Sequence, residues 1–225
     1  MKTVLMLMGS SLLLASCANP KEASKSTFQH ALNEWIEKSP PCLSMPDGSV
    51  RTGNQSRGEM PLYVEATPAA QPFLEESRQR RLGPLEALVD AGLLKSTRTE
   101  VKQDQGRFAN NGKMVAVFAY DFTDKGKAAF KEQASKSSFG GTRAGFCYGK
   151  PQVDEVTQFT QPGDMMGMTV SQVSYRYHLA DLPDWAKNAK VKAAFPEVAR
   201  NTAESLDTKA ALVLTNDGWK HEKAI

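Results

Sequence analysis

The first seventeen residues, MKTVLMLMGSSLLLASC, constrain this chain most, because they decide the chemical surroundings in which the rest must fold. Lys2 gives a positive start, and residues 4–14 are apolar except for Gly9, Ser10 and Ser11. A membrane-spanning helix needs about 20 apolar residues. This run is shorter and reads as a processing segment of an exported chain. No second apolar run of spanning length follows it. An exported chain folds in oxidising surroundings, where thiols pair.

The segment ends in Leu14-Ala15-Ser16-Cys17 rather than in an A-x-A cleavage pattern. That ending resembles the lipobox of bacterial lipoproteins. The resemblance implies a signal peptide over residues 1–16, diacylglycerol on the Cys17 thiol, and a fatty acid such as palmitate on the new amino terminus. Three acyl chains, at about 0.8 kcal/mol per buried methylene, exceed the marginal hold of one. Ala18 is not the Asp that resembles an inner-membrane retention signal. In a Gram-negative host this implies an outer-membrane anchor with the domain facing the periplasm. The membrane is therefore one expected partner, and an envelope protein or component is the other.

Removing 16 of 225 residues leaves 209, enough for one sizeable domain or two small ones. Losing Lys2 takes the formal charge from +3 to +2. A nearly balanced charge argues against a nucleic-acid partner. With Cys17 assigned to lipid, Cys42 and Cys147 remain and are expected to form a disulfide; the alternative is two separately buried thiols. The bridge closes a loop of about 100 residues, for which chain entropy gives about 4.7 kcal/mol.

Along the chain, residues 17–26 are polar and read as an extended, mobile tether. Phe28, Ala31, Leu32, Trp35 and Ile36 form one apolar stripe and predict a helix over 27–38, ended by Pro40-Pro41. Residues 39–61 read as loop, and 62–65 as a short strand. A helix over 68–81 is expected to turn Phe73 and Leu74 inward and to carry Arg78, Arg80 and Arg81 at a solvated C-terminus. Pro84 then suits the first turn of a new helix. Two strands, 97–103 and 114–122, follow, then a short helix over 127–134.

The run LEALVDAGLL, the hairpin after it and the phrase Tyr120-Asp121-Phe122-Thr123-Asp124-Lys125-Gly126 resemble the end of a winged-helix domain. The resemblance covers residues 84–126, with Phe122 where Leu is usual. It implies a shape. The DNA-binding role common in that family is not carried over, because LEALVDAGLL holds no Lys, Arg, Asn or Gln with which to read a groove.

From residue 135 the chain turns β-rich. Residues 135–145 read as a small-residue hinge. Strands are expected around Cys147 and over 152–160, 168–179 and 210–215, with helices over 182–187 and 189–205, the last broken at Pro196. The change of parity between Val170 and Val173 suggests a bulge or a switch of face. The expected fold class is α+β: a winged-helix-like helical half over 27–134, then a twisted antiparallel sheet with one or two helices over 135–225, in one compact unit.

No catalytic or cofactor motif stands above background. His30, His178 and His221 are scattered, and no Cys/His spacing suits a metal. Met165, Met166 and Met168 are the candidate soft-metal ligands, since thioethers suit copper(I). Tyr175, Tyr177, Trp185 and Phe195 fit a core, or the edge of a partner groove. The leading expectation is a non-enzymatic, envelope-anchored binding or accessory module. Its rivals are a cell-envelope hydrolase with an unrecognised site and a periplasmic soft-metal binder.

Overall fold

A computed structural model describes residues 19–53, 55–56, 58–104, 112–134 and 142–225. Cys17 and the segment before it lie outside the described residues, as does most of the hinge expected from residue 135.

The first helix, α1 (Lys25–Ile36), is capped by Ser24, whose hydroxyl accepts from the Thr27 N–H at 3.3 Å. Its stripe buries Phe28, Ala31, Leu32 and Ile36. The partner of that stripe comes from the far end of the chain. Strands β7 (Lys150–Phe159), β8 (Gly163–Met165), β9 (Met168–Ala180), β10 (Leu206–Thr215) and β11 (Gly218–His221) form one antiparallel sheet, ordered β11-β10-β9-β7 with β8 also on β9. Helix α1 touches both edge strands, β7 and β11, which requires the sheet to curl into a half-barrel around it. Gln29 Nε2 donates to the Val153 carbonyl at 3.0 Å, and Asn33 Oδ1 accepts from the Val153 N–H at 2.9 Å. Phe28 meets Phe159 and Trp219 edge to face, each at 4.9 Å.

A second core lies under α2 (Pro72–Asp90), with Leu82, Leu85 and Leu88 facing it. Strand β2 (Leu62–Glu65) and the hairpin of β3 (Leu94–Lys102) and β4 (Met114–Phe122) form a sheet ordered β2-β4-β3. Strand β1 (Cys42–Ser44) pairs with β6 (Thr142–Cys147), which pairs with β5 (Phe130–Ala134). That sheet draws strands from both sides of residue 135. Three short helices, α4 (Asp184–Lys187), α5 (Ala189–Ala194) and α6 (Pro196–Asn201), add Trp185, Val191 and Val198 to the same core, and Phe195, between the last two, joins them.

The α+β class stands, but among the described residues the N-terminal half is mostly strand. Its first helix belongs to the core of the curled sheet. The expected break before Pro84 is absent: α2 runs through it as one helix of 19 residues. Phe73 and Leu74 are 68% and 42% exposed, because they sit in the first turn of α2, ahead of its buried stripe. The helix expected over 127–134 is α3 (Asp124–Ala129) followed directly by β5. Thr123 caps α3, its hydroxyl accepting from the Gly126 N–H at 3.0 Å. Gly126 packs so tightly that a Cβ there would lie 1.9 Å from the Leu93 carbonyl oxygen. Those two contacts account for the Thr-x-x-Gly phrase that ends the winged-helix resemblance.

Residues 19–24 differ from a mobile tether. The Trp219 N–H donates to the Pro20 carbonyl at 3.4 Å, and Trp219 Nε1 donates to the Lys21 carbonyl at 3.2 Å. The parity change in β9 is a switch of face. Val170 joins Ala211 and Val213 on one side, while Val173 and Tyr175 pack on the other. The register shifts lie on β7, between Val153 and Glu155 and between Val156 and Gln158.

Candidate functional site

Helix α1 stops at Ile36, short of the end of the sheet it fills, and Pro40 and Pro41 carry the chain away. Beyond its last turn the concave face stays uncovered, leaving a cleft of 290 Å³. Trp35 from α1, Tyr175 and Tyr177 from β9, and His221 from β11 supply its aromatic lining. The alternation of β9 puts Tyr175 and Tyr177 on the inner face, two residues apart, with ring centroids at 6.1 Å. Lys209, Glu222 and Lys223 are exposed and form a charged rim.

Two of the rings brace each other. Trp35 stacks on His221 at 5.1 Å and 22°. His221 Nδ1 accepts from the Lys223 N–H at 3.1 Å, so in the neutral ring the proton sits on Nε2. Burial pushes the His221 imidazole below its ordinary value, keeping it neutral at pH 7. Burial, helped by the neighbouring Tyr177, pushes the Tyr175 phenol up to about 12. Tyr177 is raised by burial as well. Both hydroxyls therefore stay protonated at neutral pH. The cleft combines neutral aromatic walls with a charged lip, an arrangement suited to holding an amphipathic ligand.

The other candidates fall elsewhere. Cys42 and Cys147 are register partners on β1 and β6 and are joined by a disulfide, so neither is a free thiol. Met165, Met166 and Met168 share the tip of the β8–β9 hairpin, where Met165 pairs with Met168. Among the described residues, no group of three His, Cys, Asp or Glu is placed to hold a metal. His30 is exposed on α1, and His178 Nδ1 lies 2.6 Å from Asp154 Oδ1, distant in role from the cleft. Trp185 and Phe195 are buried in the α2 core. The arginine cluster is no helix terminus, since α2 continues past it. Arg78 binds both oxygens of Glu75, at 2.8 and 2.7 Å, and the Glu65 carbonyl at 3.2 Å. Arg80 pairs with Glu76 at 2.7 Å.

The sequence reading offered Tyr175, Tyr177, Trp185 and Phe195 as core residues or as the edge of a groove, and the first two line the cleft. It missed Trp35, His221 and the lysines of the rim. Trp35 was assigned to a core stripe, and no spacing relates it to His221, 186 positions later. Comparison of the chain with known protein families, with curated proteins and with solved structures finds no match.

Proposed function

We propose that this chain is a lipoprotein of the bacterial envelope, anchored through Cys17 at the outer membrane and facing the periplasm. It serves as a non-enzymatic binding module for a protein or another envelope component. The aromatic cleft carries this reading: Trp35 stacks on His221, the imidazole and the two phenols are neutral at pH 7, and the charged lip lies in solvent. Stacking on Trp35 and Tyr177, the rings left partly exposed, supplies area at little entropic cost, and the Tyr177 phenol and the lysines supply orientation. The winged-helix-like stretch, α2 with β3 and β4, is a scaffold in this reading. The Cys17 anchor rests on the Leu14-Ala15-Ser16-Cys17 ending and on the lipobox it resembles.

A photo-crosslinking residue in place of Thr208, at the cleft wall, tests the binding role in intact cells. One reproducible adduct, lost when Tyr177→Ala is added, is the expected result. Adducts no different from those formed at Thr99 on β3 overturn the reading.

A further inference from the structure

The β8–β9 hairpin ends in a Met-Met-Gly-Met tip that breaks two habits of surface turns. Met165, Met166 and Met168 are 55%, 96% and 46% exposed, and three adjacent apolar side chains in water carry a cost that a soluble surface avoids. Met166 also takes a left-handed conformation, φ 54°, where Asn, Asp or Gly is the ordinary choice. An unbranched apolar residue held there against its preference points to a use for the tip. Asp164, the nearest acid in the hairpin, turns its carboxylate into the turn, accepting from the Gly167 N–H at 3.3 Å.

The position of the tip identifies what covers it. Val170 on β9 pairs with Val213 on β10. The residues before Val170 and those after Val213 therefore run to the same end of the sheet. At that end β10 turns into β11, with Thr215 paired to Gly218. Pro20 docks there too: its carbonyl accepts from the Trp219 N–H at 3.4 Å, and a Cβ on Gly218 would lie 2.8 Å from it. Only Ala18 and Asn19 lie between Cys17 and Pro20, which are three Cα-to-Cα steps apart. Fully extended, they span at most about 11 Å. The headgroup layer on one side of a bilayer is about 5–8 Å thick. A lipid on Cys17 thus holds this end of the sheet at the membrane surface.

We propose that the Met165–Met168 hairpin is a second membrane contact, seated in the headgroup region of the bilayer that holds the lipid on Cys17. This rests on the anchored reading above. The lipid supplies the hold, and the methionines, flexible and apolar, fix the orientation by burying their side chains at the interface. The domain then stands on the β9 and β11 ends of its sheet instead of tumbling on a leash.

Hydroxyl-radical footprinting of the lipidated full chain tests this. The protein is bound to vesicles of phosphatidylethanolamine and phosphatidylglycerol and compared with the unlipidated C17S protein in buffer. Exposed Met114 on β4 serves as the internal standard. The expected result is several-fold slower oxidation of Met165, Met166 and Met168 on vesicles, relative to Met114. Equal rates in the two samples, with lipid on Cys17 verified by mass, overturn the membrane contact and leave the anchor standing. A Cys17 peptide without lipid overturns both. Protection by copper(I) in buffer, with none on vesicles, assigns the tip to soft-metal binding and overturns the proposal.

Discussion

Gly126 and His221 show how much a single position decides in this fold. At Gly126 the backbone of α3 lies against the Leu93 carbonyl, and Thr123 Oγ1 donates to the Gly92 carbonyl at 2.7 Å. Gly126→Ala forces the two segments apart and is expected to cost about 1–3 kcal/mol, read as a lower urea midpoint. At His221 the imidazole is held below its ordinary value by burial. Above the unfolded value of 6.5 the ring is neutral in both states and the fold is unaffected. As pH falls through 6.5, the unfolded chain takes a proton that the folded chain refuses, so stability drops. Urea midpoints between pH 8 and pH 5 are expected to fall in the wild type and to fall less in His221→Phe. Glu75, lowered to about 2 by Arg78, Gln79 and the Ala69 N–H, loses its contribution in a separate, more acid window, below 4.5.

Among the elements, those with a local cause were legible and those made by distant partners were not. Strand β4 coincides with the residues 114–122 read from its Val, Phe and Tyr content, and the stripe of α1 contains its four buried residues. The three residues of β1 carry no periodicity of their own; they are a strand because β6 and a disulfide hold them. Pro84 misled for a physical reason. It is 12 residues into α2, and the packing of Leu82, Leu85 and Leu88 outweighs the backbone bond it forfeits. Reducing Cys42–Cys147 releases a loop with a sequence separation of 105. A loop of that length is expected to cost about 4–5 kcal/mol, measured as the shift in urea midpoint on adding a thiol reductant.

On the scale of the molecule, the fold is closed by its two ends. Phe28, fully buried between Phe159 and Trp219, joins α1 to the curled sheet. Phe28→Ala is expected to cost about 3–5 kcal/mol in a denaturant titration. The cleft was illegible for the same reason that this core was: Trp35 and His221 meet only after the sheet has curled. The export reading, by contrast, rests on contiguous residues alone and on no feature of the fold. The contact of Trp219 with Lys21 spans 198 positions, and the Lys220–Glu34 ion pair spans 186. Such long-range closure is slow, because chain entropy must be lost before any contact rewards it. During synthesis, α1 is made well before its partner strands β7 and β11. The helix therefore waits, uncovered, until both of those strands have followed. For the envelope location proposed above, that delay keeps the helix from completing its core before export.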